Sequence, residues 1–163
     1  AEATSIDLVS TASAVNPGDS FSIDVYLNGW GIAIGSAGFT LNYSSLVTGT
    51  TFDTNPDNAM GPDAGPDAIV DISCAFSTSG ACSGSTPFDY FVSTGYVLPA
   101  DEATLFAAQN SGVSFRIARV NFTAGPTPGS VAFTLGPITL TDYNANVLDD
   151  FADNGVTVRI NDI

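Results

Sequence analysis

The chain has 163 residues, 44% of them hydrophobic, and sets 17 Asp and Glu against 3 Lys and Arg with no His, for a formal net charge of -14. An acidic surface of this kind repels phosphate backbones and anionic membranes, which excludes nucleic acid as a partner unless a cation intervenes. Without His or Lys there is no Ser-His-Asp triad, no Cys-His pair, no Schiff-base lysine and no imidazole metal ligand, while the length and apolar content suit one domain around one core.

In chain order, Ile6 and Leu8 within Ser5–Val9 predict a first short strand. Asn16-Pro17-Gly18-Asp19 is turn chemistry, because Pro fixes φ and Gly accepts φ > 0. After it, Phe21, Ile23, Val25 and Leu27 alternate with Ser22, Asp24, Tyr26 and Asn28, as a strand with one buried face requires. A Gly-rich joint follows, and then Phe39, Leu41 and Tyr43 repeat the phase, with Thr40, Asn42 and Ser44 facing outward. Residues 53–67 are rich in Pro, Gly and Asp and carry no apolar period. Residues 68–76 and 88–93 are expected as strands on either side of a loop holding the two cysteines, Cys74 and Cys82. That spacing is far from paired CxxC zinc units. It reads as a local disulfide, contributing about 2.5 kcal/mol on a chain-entropy model, or as two buried thiols. Residues 99–110 fit either a short helix capped by Asp101 or a strand through Leu105 to Ala108.

The run Val113–Phe122 slips in phase. Val113, Phe115 and Ile117 share one parity, whereas Ala118, Val120 and Phe122 take the other, which predicts a one-residue bulge near Ile117 that buries both halves. Arg116 and Arg119 then fall on one outward face. The expected architecture is all-β, a β-sandwich of about nine strands with jelly-roll topology.

Three groups of residues carry a family resemblance: Val15, Gly18-Asp19, Phe21 and Ile23-Asp24-Val25-Tyr26-Leu27-Asn28-Gly29; then Gly38-Phe39, Leu41 and Tyr43; then Leu46, Gly49-Thr50 and Phe52. Their order resembles the cohesin domain and its relatives among surface proteins. Gly129 to Leu135, Thr139 to Leu148 and Gly155 to Ile160 are similar to that family's closing strands. The resemblance spans roughly half the chain, at its two ends. It implies a cohesin-like sandwich and a protein partner, in the best-known case a dockerin. In that family the strand corresponding to Ser36–Ser44 contributes polar contacts, typically Asn and Asp ahead of the aromatic alternation. Here those places hold Ser36 and Gly38, a departure that counts against a dockerin. The face that remains is flat and weakly charged, with Ser36, Gly38, Thr40 and Asn42.

Two segments match the opening of an oxygen-ligand calcium loop: Asp53, Asn55 and Asp57; and Asp142, Asn144 and Asn146 with Asp150 and Asp153. Both lack the central Gly of an EF-hand. The first reads alternatively as a solvated linker, the second as a hairpin turn. Asn42-Tyr43-Ser44 and Asn121-Phe122-Thr123 fit the glycan acceptor pattern. Trp30 is expected as a lid over the sandwich edge; with outward Tyr26, Tyr90, Tyr96 and Tyr143 it would instead make a sugar-stacking platform. Catalysis is left only carboxylate pairs of the glycosidase kind, which 17 acidic residues supply without specificity, so no enzyme is expected. No run is long enough for a transmembrane helix, and no direct insertion into a membrane is expected. The start at Ala1-Glu2-Ala3 matches an exported protein freed of its signal, or a recombinant chain freed of a tag. These readings converge on a non-catalytic extracellular structural or adhesion protein. Its expected partners are copies of itself in a filament or surface layer, with residues 3–10 donated as a strand to a neighbour. The alternatives are a receptor module for a dockerin-like partner and a carbohydrate-binding module.

Overall fold

Alternation in the sequence becomes two faces in space, and two such faces close on each other. The computed structural model describes residues 4–54, 56, 68–75, 88–94, 103, 106, 107, 109 and 114–162. Among them thirteen strands follow in order: β1 (Ser5–Ser10), β2 (Ala14–Val15), β3 (Ser20–Asn28), β4 (Ile34–Asn42), β5 (Val47–Thr54), β6 (Ala68–Ala75), β7 (Phe88–Thr94), β8 (Phe115–Ala124), β9 (Gly129–Leu135), β10 (Thr139–Asp142), β11 (Val147–Leu148), β12 (Ala152–Asn154) and β13 (Val156–Ile160). The count exceeds the expected nine because β2, β10, β11 and β12 are only two to four residues long. So short a segment shows no period in sequence.

The first sheet has the order β12-β1-β3-β8-β5; the second runs β11-β10-β4-β9-β13-β2, with β7 also pairing β4 and β6 pairing β7. β7 pairs Ser36 to Leu41 of β4, so β9 and β10 share the opposite side of that strand. There β10 takes Ile34 to Gly38 and β9 takes Leu41 and Asn42, as one neighbour interrupted at 136–138. Both sheets are mixed, since β1 runs parallel to β12 and β13 parallel to β2. β1 thus lies between β3 and β12 within its own sheet, with Ile6 and Leu8 buried.

One apolar cluster fills the space between the sheets. Phe21, Ile23, Val25 and Leu27 of β3 meet Ala37, Phe39 and Leu41 of β4 across it, with Phe88, Tyr90, Val92, Val131 and Phe133. Its centre is aromatic: the Phe122 ring lies 5.1 Å from Phe133 and 4.8 Å from Tyr43, both edge-on. Such pairs add about 0.5–1.5 kcal/mol each beyond their area burial. Burial pushes the Tyr43 phenol up to about 12, so it stays neutral.

The predicted bulge is present. Val25 pairs with Ala118 and Tyr26 with Arg116, so Ile117 has no partner on β3, and Ile117 and Ala118 are both fully buried. The Ile117 carbonyl accepts a hydrogen bond of 2.6 Å from the Tyr90 hydroxyl, which crosses from the facing sheet. Trp30 is a lid: it is 5% exposed, donates its Nε1 proton to the Ser5 carbonyl at 3.1 Å, and lies 5.9 Å from the Phe151 ring. Within 99–110 only Ala103, Phe106, Ala107 and Gln109 are described, and Asp101, Leu105 and Ala108, on which the choice between helix and strand rests, lie outside the described residues. Gln109 is buried and stands in for a strand, accepting from the Ile34 N–H at 2.8 Å and donating to its carbonyl at 2.9 Å.

Tyr90→Phe keeps the ring and removes the donor to the Ile117 carbonyl. Urea unfolding is expected to show a loss of about 1–3 kcal/mol with an unchanged m-value, the cost of a buried acceptor left without its proton.

Candidate interaction face

The inward set on β4 is Ala37, Phe39 and Leu41, so Ser36, Gly38, Thr40 and Asn42 share the outer face, as expected from the alternation. Their surroundings differ. The Ser36 hydroxyl shares a 2.5 Å hydrogen bond with that of Thr141, Thr40 donates to an Asp89 carboxylate oxygen at 2.5 Å, and Asn42 is exposed. Gly38 sits opposite Phe91 of β7. A Cβ on Gly38 would come within 3.0 Å of the Phe91 ring, so the missing side chain lets that ring lie against the sheet while 37% exposed. Gly38, Thr40, Asp89, Phe91, Pro137 and Thr139 line a shallow depression of about 280 Å³. Small-molecule pockets enclose roughly 300–1,000 Å³, so an open hollow of this size suits one side chain of a partner better than a free ligand.

The face continues across β9 and β13, where Ser130, Ala132, Thr134, Thr157 and Arg159 are exposed. Among the described residues, Asp89 and Arg159 are the charged side chains at outward positions of β4, β7, β9 and β13, and Ser130, Thr134, Thr157 and Arg159 make no side-chain hydrogen bond.

The outer face of the first sheet is the opposite case. Asp24, 5% exposed, receives two hydrogen bonds from Arg119 at 2.7 and 2.9 Å, with Arg116 3.7 Å away. The hydrogen bond to Asp24 pushes the Arg119 guanidinium further above its usual range. Ser22 donates to Asn121 at 2.6 Å and Asn121 to Thr51 at 2.8 Å, so the second glycan-acceptor asparagine is occupied at both ends of its amide. Asp7 accepts from Ser5 at 2.8 Å, from Asn154 at 2.6 Å and from Asn28.

The calcium candidates are scattered. Asp53 is the penultimate residue of β5, in register with Arg119, and Asn55 and Asp57 lie outside the described residues. In the second group, one Asp142 oxygen accepts the backbone N–H of Asn144 and of Asn146, both at 2.9 Å, and the other accepts the Asn146 amide at 3.0 Å. Ala145 adopts φ 67°, and the segment is a hairpin turn between β10 and β11 built around its own carboxylate. Asp150 takes the Thr4 hydroxyl on its backbone carbonyl at 3.0 Å, and Asp153 lies in β12 opposite Ile6. Among the described residues no three acidic, Cys or His side chains gather as a metal site. Cys74 lies in β6, and Cys82 is outside the described residues.

The sugar-platform reading loses two members, since Trp30 and Tyr90 are buried, and Tyr96 is outside the described residues. Phe91 and Asp89 are functional candidates that sequence reasoning missed. The signal was available: Phe88, Tyr90 and Val92 form one parity of β7, which leaves Asp89 and Phe91 on the other.

No protein-family model matches the chain, and no curated protein matches it. Solved structures do. A non-cellulosomal cohesin from the hyperthermophilic archaeon Archaeoglobus fulgidus aligns with a TM-score of 0.67 at 14% identity, covering 99% of this chain and 93% of its own. A type II cohesin domain from the cellulosome of Acetivibrio cellulolyticus aligns at 0.71 with 11% identity, over 96% of this chain and 95% of its own. A type I cohesin–dockerin complex from Clostridium thermocellum aligns at 0.66 with 13% identity, over 100% of this chain and 96% of the other. The fold is cohesin-like.

The three hydrogen bonds onto Asp142, that of the Asn146 side chain foremost, hold its carboxyl below the usual 3.8. A depressed folded-state value contributes stability that is complete above the unfolded-state value and is lost as pH falls through the folded one. Asp142→Ala is therefore expected to lower the melting temperature at neutral pH, by about 1 kcal/mol of stability. Melting curves recorded down the acid limb should show the gap between wild type and variant closing below pH 3.8.

Proposed function

We propose that this chain is a non-catalytic adhesion module of an extracellular assembly, holding a protein partner on the outer face of its second sheet. The contrast between the two outer faces carries the reading. One is occupied across β3, β8 and β5 by Asp24–Arg119, Ser22–Asn121–Thr51 and the Asp7 cluster and exposes Val9 on β1, whereas the other presents hydroxyls, Ala132, Gly38 and, beside a shallow depression, a half-exposed Phe91. Central, well-packed aromatics are the residue type that dominates binding energy at interfaces.

The first candidate partner is a second copy, as in a filament or surface layer. Asp89 on β7 and Arg159 on β13 lie on the same face with β4 and β9 between them, so two copies packed face to face across a two-fold axis can pair each Asp89 with the other's Arg159. Contact between faces replaces strand donation, because β1 is already held in its own sheet. A dockerin-like partner is the second reading, favoured by neighbours of the same fold that were crystallised with dockerins.

Two bodies of charge -14 repel each other, and salt screens that repulsion over about 8 Å at physiological ionic strength. Sedimentation velocity is expected to show self-association that strengthens as salt is raised. Phe91→Ala is expected to weaken it by about 2 kcal/mol, and Arg159→Glu by about tenfold. A monomer at every salt concentration sinks the self-assembly reading. If dockerin modules are then bound by wild type and lost with Phe91→Ala, the second reading stands; if Phe91→Ala binds them as wild type does, the face is not the site.

A further inference from the structure

Asn-Gly occurs twice in the sequence, at Asn28-Gly29 and Asn154-Gly155. The two sites are far apart in the chain, yet both asparagine side chains donate to one carboxylate. Asn154 Nδ2 reaches one oxygen of Asp7 at 2.6 Å, and Asn28 Nδ2 reaches the other, which also accepts the Ser5 hydroxyl at 2.8 Å. The topology produces this meeting: β1 lies between β3 and β12, pairing Ser5 with Asn28 and Asp7 with Asn154. Each asparagine is the last residue of its strand, so each glycine lies just beyond the ladder, and Gly29 adopts φ 73°.

Asn-Gly is the dipeptide in which the following backbone nitrogen meets least steric opposition to attack on the side-chain carbonyl carbon. The attack forms a bond from the glycine nitrogen to Asn Cγ and breaks the Cγ–Nδ2 bond. Nδ2 leaves as ammonia, carrying the proton lost by the glycine nitrogen. Water then opens the cyclic imide to Asp or iso-Asp. For this to happen, Cγ must turn toward its own glycine. In the fold each Nδ2 is instead held across the sheet by Asp7, on extended backbone.

We propose that Asn28 and Asn154 form a paired deamidation site governed by Asp7, which holds both amides in the unreactive pose. The same contact makes the modification consequential. Once either amide becomes a carboxylate, a donor to Asp7 is replaced by a like charge at the seam where three residue pairs join β12 to β1. Deamidation at this place therefore loosens the edge of the first sheet, as a covalent record of the protein's age.

The test is peptide mapping by mass spectrometry of folded protein incubated at mildly alkaline pH, following each asparagine separately. Asp7→Ala is expected to deamidate about tenfold faster at Asn28 and Asn154, equivalent to roughly 1.4 kcal/mol of lost protection. Asn42 and Asn121, which are not followed by glycine, are expected to be unchanged. Equal rates at both sites in wild type and folded Asp7→Ala overturn the proposal. Should Asp7→Ala not fold, a second pair decides. Asn154→Asp is expected to lower the melting temperature and Asn154→Asp/Asp7→Asn to recover it; no recovery overturns the proposal.

Discussion

Ile117 and Ala118 are adjacent in the chain and both lie inside the sandwich. Regular pleating forbids that, since neighbours on a strand face opposite sides. The extra residue in β8 resolves the conflict and turns one peptide carbonyl away from the ladder, toward the core. A buried carbonyl without a donor costs about 1–3 kcal/mol, and the Tyr90 hydroxyl supplies the donor from the facing sheet. That hydrogen bond joins the shared apolar core in linking the two layers, and it agrees with the inward parity that Phe88 and Val92 set for β7. With Phe88, Tyr90 and Val92 inward, Asp89 and Phe91 must face out. The composition of the candidate face is thus a consequence of the apolar parity that β7 buries in the core.

A second constraint is the scarcity of cations. The chain has 17 acidic residues and three arginines, and among the described residues Asp24 is the carboxylate held in an ion pair. The fold satisfies others with neutral donors: Asp7 with Ser5, Asn28 and Asn154, Asp19 with the Asn16 backbone N–H at 2.9 Å, Asp89 with Thr40, and Asp142 with its own turn. Hydrogen bonds from amides and hydroxyls leave the charge in place while satisfying the oxygens, so the net charge stays high. Two of the three arginines converge on Asp24, where the carboxylate is most buried. Arg159 is left on the face of the second sheet, and this distribution gives the two outer faces their different characters.

The parts of this fold that could be read in sequence are those with a long period. β3 and β4 each span nine residues, enough alternation to assign an inward set without ambiguity, and the phase slip in β8 located its bulge. β2, β11 and β12 offer two or three residues each, too few for a period, and the parallel pairing of β1 with β12 joins segments almost the whole chain apart. Tyr90, a candidate for an outward sugar-stacking platform, is buried instead, on the parity that its neighbours at 88 and 92 mark as apolar. The Asp142-x-Asn144-x-Asn146 pattern was ambiguous for a chemical reason. The carboxylate and amides that surround a cation are the same groups that close a tight turn, as Asp142 does here with the Asn144 and Asn146 N–H groups and the Asn146 amide.

The placement of β1 bears on how such a domain assembles. β1 makes six register pairs with β3 and three with β12, and it carries two side chains of the shared core. Lending it to a neighbour would uncover Ile6 and Leu8 and part β12 from β3, so a swapped partner would have to restore every one of those contacts before any gain appeared. The outer face of the second sheet asks for no such exchange. Its backbone groups are paired along β4, β7, β9 and β13, and apart from Phe91 and Arg159 its outward side chains are short, so little rotamer freedom is lost when a partner covers them. A sandwich of this construction is therefore suited to joining surfaces that remain folded throughout, with Phe91 as the one large apolar side chain of β4, β7, β9 and β13 that is offered outward among the described residues.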